Sequence, residues 1–182
     1  MTTGEKIKYF RNMRGISQDT LGQLSGINSA TIKKYEYGIR NPKPDQLLKI
    51  ANALGISINI FMDFDIETVS DVLSLLFKLD DQIDMKFEAD KDDEGNFKPS
   101  TVKLSFKNNL INKKLCTYIK ALEIRENMIN AKDEYSEEEY ADSLQHINEN
   151  IEEIKQHLLD DNMVVKKGTD RLTVKNYPNY PN

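Results

Sequence analysis

Residues 18–38, QDTLGQLSGINSATIKKYEYG, hold two helical patterns separated by only three residues, Gly26, Ile27 and Asn28. Ser17 is placed to cap the first pattern, and Asn28 or Ser29 the second. Gly26 and Gly38 close them as C-cap glycines do. A link this short holds the second helix proud of the surface. The run also puts Glu36 where a buried apolar residue is expected, two residues beyond a Lys33-Lys34 pair.

Helical signals continue on both sides. Thr2 and Glu5 have capping-box spacing ahead of KIKYFRNMRG, which Gly15 ends. Pro44 suits the first turn of PDQLLKIANALG, which stops at Gly55, and Ser57 can cap a short INIFMD helix. These are five helices in about 60 residues. Ile7, Leu21, Leu24, Ile27, Ile32, Tyr35, Leu47, Ile50, Leu54, Ile56 and Phe61 supply their apolar faces.

Arranged this way, the N-terminal third strongly resembles the helix-turn-helix domain of lambdoid phage repressors and the wider XRE-type family of bacterial regulators. The carrying residues are Arg11, ISQDTL at 16–21, Gly26-Ile27, Thr31-Ile32, Glu36 with Gly38, Pro42, and LLKIANALGI at 47–56. The likeness covers roughly residues 4–62 and stops there.

The resemblance implies a partly buried ion pair between Arg11 and Glu36 that fixes the third helix against the first. It implies that Ser29, Ala30 and Lys34 face base edges in a major groove. A hydroxyl can donate or accept there, a methyl can meet thymine, and an ammonium can donate to guanine. Gln18, Thr31, Lys33, Tyr37, Arg40, Asn41 and Lys43 fall around them as backbone-phosphate contacts, which position without reading sequence. Gln18 is further expected to brace the third helix. Gly22 departs from the pattern, because the family usually has alanine there. Glycine inside a helix costs about 0.5–1 kcal/mol relative to alanine. Either it admits a close approach of the third helix or it weakens the domain.

Beyond residue 65 only pattern speaks. IETVSDVLSLLFKLDD reads as a helix. IDMKFEA (83–89) and TVKLSFK (101–107) alternate and read as a β-hairpin joined by a long acidic loop. A long helical hairpin follows, its second helix opened by a Ser136/Glu139 capping box. In that helix Leu144, Ile147, Ile151, Ile154 and Leu158 form a heptad stripe. The stripe admits an intramolecular hairpin seam or a dimer seam, or both at once on different flanks, and the expectation is that it contributes to a dimer seam. Residues 164–182 show no core-forming pattern and are expected to be disordered.

Charge divides the same way. Residues 1–65 carry nine Lys+Arg against six Asp+Glu, a net of +3, and the remainder sixteen against twenty-four, a net of −8. A basic module joined to an acidic one points to two different partners. No apolar run approaches the roughly 18–20 residues of a membrane helix, and the N-terminus has no apolar leader. One cysteine, Cys116, excludes an internal disulfide. A cytoplasmic location is expected, with no membrane partner.

Catalytic and metal-binding patterns are thin. His146 and His157 are eleven residues apart, outside the spacing of paired helical ligands. The acidic run at Asp90, Asp92, Asp93 and Glu94 lacks the EF-hand spacing and reads as a solvated turn. Cys116 lies near an apolar stripe and reads as packing. The chain has no Ala-Gly dipeptide for a self-cleaving repressor peptidase. No cofactor or metal is expected, and no enzyme activity.

The expectation is a mainly α protein in three parts. Residues 1–65 form a five-helix lambda-repressor-like DNA-binding domain. Residues 66–163 form an α+β oligomerisation or sensing module, with a two-stranded hairpin and a helical hairpin, open to a protein partner or small-molecule effector. Residues 164–182 are the tail. The function expected is sequence-specific binding of double-stranded operator DNA by a homodimeric repressor. The rival is an antitoxin that autoregulates through the same domain and binds a protein through its acidic half.

Overall fold

The structure, a computed structural model, describes every residue except 179, 181 and 182, and the backbone alone at residues 170–172. Among the described residues the chain is mainly helical, with seven α-helices and two small two-stranded antiparallel sheets. It divides into two compact units. The first is Met1–Asp65 with Leu159–Val164 and Thr173–Asn182; the second is Ile66–Leu158 with Val165–Leu172.

In the first unit the helices start where the caps stand. Thr2 and Glu5 form the capping box of α1 (Thr3–Met13), and Ser17 caps α2 (Gln18–Ser25). Asn28 caps α3 (Ser29–Glu36), and Pro44 opens α4 (Pro44–Leu54), which Gly55 ends. The expected fifth helix is a single 3-10 turn, Ile58–Ile60, capped by Ser57. The inner faces close on one core containing Ile7, Phe10, Leu21, Ile32, Ile50, Leu54 and Ile56, all fully buried. Every apolar position read from the sequence here is buried, apart from half-buried Leu24. Phe10 was not among them.

This unit is discontinuous, which the sequence reading did not anticipate. Arg14 donates from Nε to the Leu54 carbonyl at 2.9 Å and from Nη1 to Asp160 Oδ2 at 2.9 Å, while its Nη2 meets Asp160 Oδ1. The Asn162 side-chain amide donates to the Gly55 carbonyl at 2.7 Å. The Tyr180 ring lies against Gly55, with an ideal Cβ there 2.7 Å from it, and its centroid is 5.4 Å from the Arg14 guanidinium. Asp160, Asn162 and Tyr180 therefore clasp the ends of α1 and α4. The expected boundary at residue 163 gives way to one set by these side chains.

The second unit opens with α5 (Val69–Gln82), started by a Thr68/Asp71 capping box. Strands β1 (Met85–Glu88) and β2 (Lys103–Phe106) pair antiparallel, with Met85 opposite Phe106 and Glu88 opposite Lys103. Helices α6 (Asn109–Asn130) and α7 (Glu137–Leu159) follow. Among the described residues, the apolar ones buried in this unit are few: Met85, Ala121 and Ile151. Cys116, expected in packing, is exposed.

Residues expected to be a structureless tail instead contain β3 (Met163–Lys166) and β4 (Thr169–Val174), joined at Lys167-Gly168. Gly168 takes φ 74°, a conformation glycine adopts without strain. The turn is held by its own amides. Lys167 N–H donates to the Gln82 carbonyl at 2.9 Å and Gly168 N–H to Asp84 Oδ2 at 2.6 Å.

Candidate nucleic-acid interface

The candidate site is built on the turn between α2 and α3. Gly26 ends α2 in the left-handed conformation at φ 66°. Ile27 then drops into the core, 6% exposed. Asn28 Oδ1 accepts the Ala30 N–H at 2.9 Å and starts α3. Burial of Ile27 and the cap at Asn28 together set where α3 begins and which side faces out.

Gly22 explains how tightly the turn is drawn. A Cβ at this position would lie 2.7 Å from the Ile27 carbonyl oxygen and 3.2 Å from the Ser29 nitrogen. The glycine is thus the close-approach residue of the two alternatives. Gly22→Ala gains helix propensity of about 0.5–1 kcal/mol but forces the turn outward, an overpacking cost of about 1–3 kcal/mol. The expected net result is a lower melting temperature and weaker DNA binding. A variant as stable as the parent would show that the turn relaxes freely. Gly4 plays the same part for α1, since a Cβ there would collide with the Tyr35 carbonyl at the end of α3. Sequence pattern gave no sign of it, because Gly4 sits in a helix's first turn and fits the cap reading equally well.

The inner side of α3 buries Ile32, Tyr35 and Glu36. Glu36 is held by three donors. Arg11 Nε reaches Oε1 at 2.6 Å and Nη2 reaches Oε2 at 3.0 Å. Gln18 Nε2 reaches Oε2 at 2.8 Å. The third Arg11 nitrogen, Nη1, donates to the Ile16 carbonyl at 2.9 Å. The Glu36 side chain is 1% exposed and that of Arg11 12%. The Glu36 hydrogen bonds raise the Arg11 pKa above its ordinary value, against the opposing effect of burial. This is the bidentate fork geometry in which arginine and carboxylate interact most strongly. It ties α1, the start of α2 and the end of α3 to one carboxylate.

The outer side presents Ala30, Lys33, Lys34 and Tyr37, all exposed, with Ser29 and Thr31 half-buried at its margins. Arg40, Asn41 and Lys43 are exposed on the loop that follows. The Ile39 and Arg40 N–H groups both return to the Lys34 carbonyl, at 2.9 and 3.3 Å, which fixes the loop against the end of α3. Gln18 is half-buried and engaged with Glu36. Ile39, 72% exposed beside this surface, was not singled out from the sequence. The arrangement offers exposed cationic and small side chains along the outer side of α3. Exposed cationic side chains of this kind suit contact with a polyanion.

The α7 stripe lies elsewhere. Ile151 is buried, while Leu144, Ile147, Ile154 and Leu158 are half-buried. Ile147, Ile151 and Ile154 share a groove of about 270 Å³ with Thr117, Ala121 and Ile124 of α6. Ile151, at the centre of the stripe, is thus buried within the chain, and the rest of the stripe stays partly exposed. No helix among the described residues is long and apolar enough to cross a membrane.

The helix-turn-helix family model matches residues 7–61. An uncharacterised HTH-type transcriptional regulator of Sinorhizobium medicae is 33% identical over 60 residues, 33% of this chain and 43% of that protein. The SPbeta prophage-derived uncharacterised HTH-type transcriptional regulator YonR of Bacillus subtilis is 31% identical over 71 residues, 36% of this chain and 66% of its own. Among solved structures, the P22 c2 repressor in complex with a synthetic operator is 28% identical, covering 36% of this chain and 98% of that one, with a TM-score of 0.34. The restriction-modification controller protein C.AhdI from Aeromonas hydrophila is 33% identical over 33% of this chain and 91% of that one, with a TM-score of 0.32. The chain thus spans less than half the length of the first of these relatives, and the likeness lies in the N-terminal third.

Proposed function

We propose, from the premise that residues 7–61 are a helix-turn-helix domain of the lambda-repressor-like family, that the protein is a sequence-specific double-stranded-DNA-binding regulator. It acts as a repressor, as a homodimer on a two-fold symmetric operator, by occluding a promoter. The observation that carries this reading is the outer face of α3, exposed at Ala30, Lys33 and Lys34 and held from behind by the Arg11–Glu36–Gln18 cluster. A helix so braced keeps its shape on docking, and preorganisation limits the entropy lost in binding.

Ser29, Ala30 and Lys34 are assigned to base edges. Gln18, Thr31, Lys33, Tyr37, Arg40, Asn41 and Lys43 are assigned to phosphates. In a dimer the two α3 helices enter successive major grooves about 34 Å apart on one side of the duplex. One such domain has little contact area for strong specific binding, which favours pairing.

Selection of bound sequences from random duplex DNA tests the reading, because it returns the motif, its symmetry and its half-site spacing together. Lys34→Ala is then expected to weaken the selected site by about 1–3 kcal/mol while leaving random DNA little changed. Arg40→Ala is expected to weaken both alike and to lower the salt dependence, since a phosphate contact carries no sequence information. Equal losses on both DNAs for Lys34→Ala would remove its base-reading role. The antitoxin reading draws on the −8 charge of residues 66–182, which suits a basic protein partner. A stoichiometric second protein that co-purifies and lifts the chain off its operator would favour it.

A further inference from the structure

The net charge of −8 beyond residue 65 hides a block of the opposite sign. Residues 98–122 carry six lysines and not one aspartate or glutamate. On either side the balance is acidic, with three Lys+Arg against ten Asp+Glu in residues 66–97 and seven against fourteen in residues 123–182. At physiological salt, surface charges more than about 8 Å apart are largely screened from one another. A ligand at this block therefore meets its lysines, not the average of the chain.

The block is folded. It runs through β2 and the first half of α6, which the Asn112 side chain joins. That amide accepts the Phe106 N–H at 3.1 Å and donates to the Phe106 carbonyl at 2.5 Å. Lys98, Lys103, Lys113 and Lys120 are exposed. Among the described residues, none of the four has a carboxylate within 4 Å. Glu88, opposite Lys103 in the hairpin, pairs with Lys86 at 2.7 Å. Lys113 and Lys120 are seven residues apart on α6, so they point within about 20° of each other and stand about 10 Å apart along the axis. Helix α7 is acidic, yet the residues it contributes to the groove at Lys120 are Ile147, Asn150, Ile151 and Ile154, none of them charged. The carboxylates so abundant in this half of the sequence leave these lysines unneutralised.

The four cations lie on a loop, a strand and a helix, with no common spacing. A protein partner would need fixed carboxylates matched to each. Duplex DNA presents a phosphate charge about every 1.7 Å of its axis, so each lysine meets one without a matched arrangement. A second contact tethered to the first also raises the local concentration of each for the same duplex.

We propose that Lys103, Lys113 and Lys120 form a second DNA contact, in the second unit, that takes phosphates and reads no sequence. It rests on the DNA-binding reading above and adds a surface outside residues 7–61, the segment that matches the helix-turn-helix family.

Binding of the full chain to a random duplex, measured against salt, tests it. Changing Lys103, Lys113 and Lys120 together to Gln is expected to lower the slope of log affinity on log salt by about 2–3. From about 50 to about 200 mM salt, the parent's affinity is then expected to fall about 40-fold more than the variant's. Lys78→Gln, Lys132→Gln and Lys166→Gln together remove the same charge outside the block and are expected to change the slope by less than about 1. Arginine at positions 103, 113 and 120 keeps the charge and is expected to keep the parental slope. Chemical acetylation of the parent needs no variant to fold: duplex DNA is expected to protect Lys103, Lys113 and Lys120 while Lys78 and Lys132 react as before. A glutamine variant with the parental slope, or one that loses no more than the control, would overturn this surface and leave the reading of α3 standing. Unprotected lysines in the DNA-bound parent would do the same. A parent that binds no duplex at about 50 mM salt would remove the DNA-binding reading, and this surface with it. Loss of an acidic protein partner by the glutamine variant, with its DNA slope unchanged, would make that protein the occupant instead.

Discussion

Glu36→Ala is expected to cost the first unit about 3–5 kcal/mol, the usual consequence of deleting one partner of a buried ion pair. Three donors lose their acceptor at once: Arg11 Nε, Arg11 Nη2 and Gln18 Nε2. Arg11 keeps only its bond to the Ile16 carbonyl and remains charged in a site where its side chain is 12% exposed. The loss does not measure what the pair contributes, because desolvating both charges cancels much of their attraction. The double variant Arg11→Met with Glu36→Leu removes both charges and retains side-chain bulk, so it is expected to recover much of the stability. Chemical denaturation of the three proteins decides the matter. A single variant as stable as the parent would mean that the carboxylate is hydrated in solution. If the double variant is stable but binds DNA poorly, the pair serves to aim α3.

Asp160→Ala is expected to destabilise the same unit by about 2–3 kcal/mol, although residue 160 lies far from it in sequence. Asp160 pairs with Arg14 through both oxygens, and the two side chains are 21% and 15% exposed. Its hydrogen bonds raise the Arg14 pKa. Without it the guanidinium keeps the Leu54 carbonyl and the Tyr180 ring. A charged group stripped of a hydrogen-bonded partner in a half-buried site loses about this much. Hydrogen exchange reads the effect where it belongs. Amides of Leu21 and Ile50, in the core of the first unit, are expected to exchange about 30–150-fold faster. Acceleration confined to residues 159–164 would show that the clasp frays without weakening the domain beneath it.

The N-terminal helices were legible because their signals are local. Caps at Thr2, Ser17, Asn28 and Ser57 and C-cap glycines at 26 and 55 each act within a few residues. The Arg11–Glu36 pair spans 25 residues and was reached only through family resemblance. The Arg14–Asp160 contact spans 146 and leaves no period, cap or motif to read. Two tight approaches, Gly4 under Tyr35 and Gly22 under Ile27, are properties of packing between helices. A lone sequence records them only as a missing side chain. The β3–β4 hairpin was legible in principle, since Val164-Val165 and Leu172-Thr173-Val174 flank Lys167-Gly168. The polar, proline-containing segment that follows, KNYPNYPN, carries no core-forming pattern and dilutes that signal. The heptad stripe of α7 shows the limit of periodicity. It identified a seam but could not say whether α6 or a second chain would fill it.

The clasp also bears on how the protein is made. Synthesis runs from the N-terminus at about 5–20 residues per second, so residues 1–65 leave the ribosome roughly 5–20 s before residue 160 follows them. Through that interval the nascent helices lack the carboxylate that caps Arg14, the amide that reaches Gly55 and the ring that covers it. The first unit is thus at its weakest while the chain is still being translated. A message broken before codon 159 would yield a protein with all of α3 and a first unit lacking this clasp. The full stability of the first unit would come only to chains that carry Tyr180 as well as Asp160 and Asn162.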